Sequence, residues 1–301
     1  MRRRKLKQLI LIFATLLALP AVLFVINGTL LTPGNDPVIT ARLTEELPST
    51  SDQSPRRIKV LAYNIAKAFA HEGGYQFATE DAVQKRLGEM AELIQSEDPD
   101  IVFLSEVLRE CGPCPVNQLA VLAEKAGFPY TAYGENYTFG IPFFKVAGGN
   151  AILSKTPLDG IDNLDLHGRQ PFWVTSNNRR VLFCSTKLGG NTVLLGAIHN
   201  DSRSGPNNLA QTKQILNWIG DRPAVLGGDF NADPGEPSID LFRNSNRWSG
   251  RIEGKQTFPS TAPNQKLDYV FAPATWKLSE HQVIDSELSD HKPVVSTFEI
   301  P

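Results

Sequence analysis

The stretch Leu226–Gly227–Gly228–Asp229–Phe230–Asn231–Ala232–Asp233–Pro234 decides how the rest of the chain is read. The apolar run Pro223 to Leu226 has the length and branching of a buried strand, and it stops at two glycines. Carboxylates and an amide follow at once. In α/β sheets, ligand sites form where strands end. The same pattern recurs along the chain. Val60–Tyr63 runs into Asn64, Ile101–Ser105 into Glu106, and Leu194–Ile198 into His199. Lys266–Leu267 leads to Asp268, and Ser289 to Asp290 and His291 just before the last apolar run. Each position alone has a plain reading. Asn64 and Asn231 suit turns, Asp268 and Asp290 suit caps, and a lone Glu is usually solvated. Together they require six coincidences unless they share one site.

Outward from these points, strand and helix alternate. Ile58–Ile65, Ile101–Leu104, Asn150–Leu153, Arg180–Thr186, Thr192–Ile198, Pro223–Leu226, Leu267–Phe271, Trp276–Leu278 and Val294–Phe298 read as strands. Ala82–Gln95 reads as a helix with Val83, Leu87, Met90, Ala91 and Ile94 on one side. Gln118–Ala126, Asn208–Ile219 and Ile239–Arg243 read as further helices. Several adjacent strands lack a helix between them. The expectation is one α/β domain of mixed sheets covered by helices, and pattern alone leaves one sheet or two open.

With 301 residues and no need of disulfide staples, the chain can bury a sizeable core. The net charge of −2 hides an asymmetry: Arg2, Arg3, Arg4, Lys5 and Lys7 crowd the N-terminus, leaving 25 basic against 32 acidic residues elsewhere. That balance disfavours a broad grip on duplex nucleic acid but leaves room for a local basic cleft. The basic run precedes an apolar stretch from Leu9 to about Ile26, near the length of a bilayer span. Residues 1–7 therefore read as a cytoplasmic flank, 8–26 as a transmembrane signal anchor, 27–56 as a flexible linker, and 57–301 as the folded domain. The chain is expected to be single-pass with its domain outside the cytoplasmic membrane. Secretion or periplasmic release after signal cleavage is the alternative. No protein partner is predicted.

The segments VLAYNI (60–65), PDIVFLSEV (99–107), GNAILSK (149–155), AIHN (197–200), LGGDFNADP (226–234), LDYVF (267–271) and SDHKPV (289–294) resemble the endonuclease/exonuclease/phosphatase superfamily, in the family's order. The resemblance spans nearly everything after the linker. It implies a four-layer α/β/β/α sandwich of two mixed sheets flanked by helices. It also implies hydrolysis of phosphate esters, with Mg²⁺ (or Mn²⁺) as cofactor. In that reading Glu106 is the principal metal ligand, Asn64 stands beside the metal, and Asp290 is a further ligand. Hard oxygen donors suit such ions, and no His/Cys cluster has zinc spacing. His291 would contact the scissile phosphate as acid, base or electrostatic stabiliser, oriented by Asp268. Asp229 would position or deprotonate the attacking water. Asn231, two residues on and on the same side of a strand-like segment, would bond phosphoryl oxygens. His199 would bind phosphate or assist the leaving group, and Asn150 would contact substrate or support the site. Ser105 stands where many members carry Gln, and Ala66–Phe77 and Leu108–Phe144 depart from the common form, the latter as an extra loop near the metal. The substrate is expected to be a phosphodiester, of nucleic acid or of a lipid head group, with phosphomonoesters as a further class.

Weaker signals remain. Cys111–Gly112–Pro113–Cys114 matches a redox tetrapeptide, but without the expected βαβ setting it reads as a local disulfide staple. Cys184 reads as a buried free thiol. Arg179 is a candidate for binding substrate phosphates. Arg180 and Arg169 share that functional reading, and all three otherwise read as solvated surface charges. Phe139, Phe143 and Phe144 with Tyr130, Tyr133 and Tyr137 read by default as core, with base stacking or lipid contact as the functional reading.

Overall fold

The structure, a computed structural model, describes residues 2–41, 57–71 and 76–301. In chain order it comprises helix α1 (Arg2–Thr29), β1 (Val38–Ala41), β2 (Arg57–Asn64), a short 3₁₀ segment (Ala66–Phe69), α2 (Glu80–Glu97), β3 (Ile101–Cys111), α3 (Gln118–Ala126) and β4 (Tyr130–Ile141). There follow β5 (Phe144–Ser154), β6 (Asp159–Asp165), β7 (Arg180–Leu188), β8 (Asn191–His199), α4 (Gly205–Ile219) and β9 (Ala224–Asp229). The chain closes with α5 (Pro237–Asn244), β10 (Trp248–Gly250), β11 (Asp268–Pro273), β12 (Lys277–Val283) and β13 (Val294–Glu299).

Alternation along the central strands makes two cores at once. In β2, Ile58, Val60 and Ala62 face one apolar cluster while Leu61 and Tyr63 face another. The first cluster lies between two sheets and joins β2 and β3 to Leu182, Leu195, Val225 and Val270. The second lies under α2, where the predicted face of Val83, Leu87, Met90, Ala91 and Ile94 is buried. A third lies under α4 and α5, with Ile215, Ile219, Ile239 and Phe242. The result is the expected four-layer sandwich, with α1 as an additional long apolar helix.

One sheet has the order β1-β4-β5-β3-β2-β13-β12, the other β10-β11-β9-β8-β7-β6. Among the described residues each contains a single parallel pair, β2 with β3 and β8 with β9, and every other pairing is antiparallel. The two parallel pairs carry Asn64, Glu106, His199 and Asp229 at or near their C-terminal ends.

Three regions differ from expectation. The stretch 108–144, expected as an extra loop apart from the helix Gln118–Ala126, is regular throughout: β3 continues to Cys111, the expected helix forms as α3, and β4 follows. Its strands escaped detection because β4 buries Glu135, Asn136 and Thr138, which erases the apolar period. The linker 27–56 is bound to the domain in its first part. Asn27 is buried and donates from Nδ2 to the Gly140 carbonyl at 3.0 Å. β1 adds an antiparallel edge strand to β4, Asn35 O accepts from Asn163 N at 2.7 Å, and Gly34 O accepts from the Arg180 guanidinium. Small polar residues there bind through backbone groups, which composition does not reveal. The rest of the predicted linker, 42–56, lies outside the described residues. Finally, the expected Cys111–Cys114 disulfide is not formed, and all three cysteines are free and buried. The Cys114 N–H closes a turn onto the Cys111 carbonyl, and both thiols pack into the α2-side core.

Candidate active site

Glu106 sits on a β-bulge. Pairing of β3 with β5 slips between Leu104 and Val107, and Glu106 takes a left-handed φ of 57°. A bulge re-aims one side chain out of the ladder, here from the sheet face into the cleft. His199 and Asp229 close the other parallel pair and stand opposite one another in register. Asp268 opens β11 directly opposite Asp229. Ser289 pins the loop before β13 by donating from Oγ to the Asn64 carbonyl at 2.7 Å, which brings Asp290 and His291 to the same place.

The meeting point is the buried Asp229 carboxylate. Asn64 Nδ2 donates to its Oδ2 at 3.1 Å and reaches Glu106 Oε1 at 3.4 Å. His199 Nε2 lies 3.5 Å, and His291 Nε2 3.6 Å, from that same Oδ2. His199 Nε2 is also 3.9 Å from Glu106 Oε1. The expected groups from both sheets therefore converge.

The two histidines differ in what holds Nδ1. His291 Nδ1 donates to Asp268 Oδ2 at 2.8 Å. Burial works against its charge, but Asp268 and Asp229 outweigh it and raise its pKa to about 10. The Phe258 ring packs on it, centroids 4.7 Å apart. His199 Nδ1 instead accepts from Arg179 Nη1 at 2.9 Å. Burial and then the Arg179 charge push its pKa well below the usual value, so it presents Nε2–H as a neutral donor. Burial raises the Asp229 carboxyl to about 7, into the range of a group that exchanges a proton at neutral pH.

Lys67 was not singled out in the sequence beyond its place in the unusual segment after Asn64. It ion-pairs with Glu106, and the Phe69 backbone beside it belongs to a run of four non-glycine residues, Ala66–Phe69, at φ 45°, 57°, 49° and 50°. Left-handed runs are costly for residues with a Cβ. Gln118 braces this one, donating to the Lys67 carbonyl and accepting from Leu108 N at 2.9 Å. Burial would raise the Glu106 pKa, but the Lys67 ammonium beside it holds the carboxyl well below the usual range. No local sequence signal marks such a turn.

Other expected residues sit differently. Asn64 turns Oδ1 to the Ala66 N–H at 3.0 Å, so it ties carboxylates together rather than offering an oxygen. β9 ends at Asp229, and Asn231 lies beyond it at φ 49°, its side chain donating to the Asn200 carbonyl at 3.0 Å. Strand alternation is thus not what relates Asn231 to Asp229. A turn closed by Asn231 N–H on Asp229 Oδ1 at 2.9 Å does so. Asn150 is buried between the sheets and donates to the Arg180 carbonyl at 2.9 Å, with its Oδ1 unpaired. Arg179 and Arg180 are buried rather than solvated, and Arg169 is half-buried and bonds Asn136 O and Asn178 Oδ1 at 2.8 and 2.9 Å.

The residues fit a hard divalent cation. Glu106 and Asp290 both line the cleft and draw the charge of Lys67 toward them. Among the described residues, Asp229, Asp268 and His291 also bring ligand atoms within 4.8 Å of one another. There, however, His291 Nδ1 is committed to Asp268. Oxygen donors on an open cleft suit Mg²⁺ or Mn²⁺ better than that buried imidazole cluster. Burial raises both thiol pKa values of the CGPC pair, the reverse of the shift that activates a thiolate.

A family model described as the endonuclease/exonuclease/phosphatase family matches residues 61–291. No curated protein matches the chain. Among solved structures, an endonuclease/exonuclease/phosphatase protein from Beutenbergia cavernae is similar at 22% identity and TM-score 0.62, over 82% of this chain and 72% of that one. A mannosyl-6-phosphatase from Bacteroides thetaiotaomicron is similar at 18% identity and TM-score 0.55, over 79% and 98%. The human Nocturnin catalytic domain, solved with a bound sulfate anion, is similar at 16% identity and TM-score 0.59, over 83% and 100%. At such identities the likeness is one of fold.

Proposed function

Because the chain belongs to the endonuclease/exonuclease/phosphatase family, we propose that it is a divalent-metal-dependent hydrolase of phosphodiesters, acting outside the cytoplasmic membrane to which α1 anchors it. One observation carries this reading. Asn64, Glu106, His199 and His291, drawn from four distant segments, converge on the Asp229 carboxylate.

Glu106 and Asp290 would hold Mg²⁺ or Mn²⁺ once Lys67 yields, and the ion would neutralise phosphoryl charge. The protein groups supply the rest. His291, kept cationic by Asp268, and the His199 Nε2–H face the phosphoryl oxygens from two sides. Asp229 takes a proton from the attacking water as its oxygen joins phosphorus. The P–O bond to the ester oxygen breaks, that oxygen leaves as the alkoxide with its charge met by His291, and it takes a solvent proton to become the alcohol. Phosphodiesters of nucleic acid and of lipid head groups both suit such a centre, and phosphate monoesters are the further substrate class it admits. The basic residues Arg2, Arg3, Arg4, Lys5 and Lys7 in the first turns of α1 support this location. The packing of Asn27 and Gly28 onto the domain favours an anchor that stays in place over one removed by cleavage.

The test uses the full chain purified in detergent, with bis(p-nitrophenyl) phosphate and p-nitrophenyl phosphate under Mg²⁺, Mn²⁺ or EDTA. Metal-dependent release is expected, strongly reduced in Glu106→Gln. Full activity in EDTA, or no hydrolysis of either ester under either metal, would falsify the proposal.

A further inference from the structure

One cleft of about 890 Å³ joins the catalytic floor to an aromatic rim. Its lining runs from Glu106, His199 and Asp290 out to Phe139, Phe144 and Trp173. The rim aromatics are poorly covered: Phe139, Phe144 and Trp173 are 51%, 57% and 46% exposed, and Phe143, at the tip of the β4–β5 hairpin, is 90% exposed. Exposed aromatics of this size in one place mark an interaction surface.

The end of α1 packs against this same rim. Phe24 lies 5.6 Å from Phe139, 5.3 Å from Phe172 and 6.3 Å from Trp173, ring to ring. Asn27 bonds the Gly140 carbonyl in the hairpin. Gly28 meets the Phe172 ring so closely that a Cβ would stand 1.8 Å from it, so only glycine fits there. The helix then leads away from the domain with its apolar side chains exposed from Leu6 to Val22. About 20 residues cross the apolar layer of a bilayer. The stretch 8–26 therefore ends at the level of Phe24 and the rim. Aromatic side chains gather at that depth in membrane proteins, between hydrocarbon and water.

We propose that the cleft opens onto the surface of the membrane that α1 spans, with Phe139, Phe143, Phe144 and Trp173 set in its head-group layer. The substrate is a phosphodiester carried by a membrane lipid. This rests on the phosphoesterase reading and adds the substrate class and the surface that delivers it. The head-group phosphate enters the cleft while the acyl chains stay in the bilayer beside the rim. Arg203, which lines the cleft and bonds Ser176, offers a cation to the incoming phosphate. Water supplies oxygen to phosphorus, the P–O bond to the leaving alcohol breaks, and that alcohol gains a proton.

The experiment reconstitutes the full chain into vesicles of phosphatidylcholine and phosphatidylglycerol with Mg²⁺. It compares release from these lipids with turnover of bis(p-nitrophenyl) phosphate and of a single-stranded oligodeoxynucleotide. Lipid turnover is expected, and Phe143→Asp should lower the ratio of lipid to soluble-diester turnover about tenfold. Separately, vesicle lipids brominated near the head group should quench tryptophan fluorescence, and Trp173→Phe should remove most of that quenching. Turnover of the oligonucleotide or soluble diester with intact lipids overturns the substrate class. Bromolipid quenching that is absent, or indifferent to Trp173→Phe, overturns the membrane-facing rim. If no ester of any kind is cleaved, the phosphoesterase reading fails, and the quenching still judges the surface.

Discussion

The two sides of the cleft use one residue type to opposite ends. On one side His199 closes β8, takes a hydrogen bond from Arg179 and is held neutral. On the other His291 precedes β13, gives a hydrogen bond to Asp268 and is held charged. Both bring Nε2 to the same oxygen of Asp229, at 3.5 and 3.6 Å. Position puts each histidine at the Asp229 carboxylate, and the partner on its far nitrogen sets its charge there. A neutral donor and a cation flanking one carboxylate can bind a phosphoryl group asymmetrically without competing for one proton.

The contrast is open to direct attack. Its largest expected effect is in Asp268→Asn, which removes the partner that keeps His291 cationic. We expect kcat to fall about 10³-fold, with the alkaline limb of the pH–rate profile moving down from about 10 toward the ordinary histidine value of about 6.5. An unmoved limb would assign the charge of His291 to something else. Next, Glu106→Gln should cost about 10²-fold in kcat and weaken Mn²⁺ binding, read by electron paramagnetic resonance of the free ion. Retained Mn²⁺ affinity would move the metal to the Asp229–Asp268–His291 group. Third, Arg179→Met should lower kcat about tenfold and let His199 protonate in the mildly acidic range, seen as a new imidazole titration by nuclear magnetic resonance. A silent His199 would mean that burial alone keeps it neutral.

The smallest effect concerns stability. The folded pKa of His291 is raised above its unfolded value of 6.5, so its contribution is fully present below about pH 6.5 and fades as pH rises through about 10. Melting temperature should therefore decline by a few degrees across that window, and the decline should flatten in His291→Asn. Equal slopes in the two proteins would show that the imidazolium adds nothing to folding.

Much of this contrast was legible in sequence, and its cause was not. Apolar runs followed by polar ends located Asn64, Glu106, His199, Asp229, Asp268 and His291 because strand patterning is local. The face of α2 was legible for the same reason. The burial of Arg179 against His199 is a tertiary fact, and an Arg–Arg pair in isolation reads as surface charge. The left-handed turn that carries Lys67 to Glu106 is held by Gln118, distant in sequence and invisible to propensity. The aromatics divided by context: Tyr133 and Tyr137 are core as expected by default, whereas Phe139, Phe143 and Phe144 are exposed beside α1. Nothing in their composition separates the two sets.

His199, Asp229 and Asp268 stand opposite one another on three adjacent strands, a single row across the sheet. Their spacing is therefore set by the backbone ladder, about 4.8 Å from strand to strand, rather than by the fit of neighbouring side chains. A ruler of that kind does not stretch gradually. Substitutions that loosen the apolar layers should lower the temperature at which the protein melts while leaving turnover below that temperature nearly intact, so that heat inactivation and loss of sheet signal coincide.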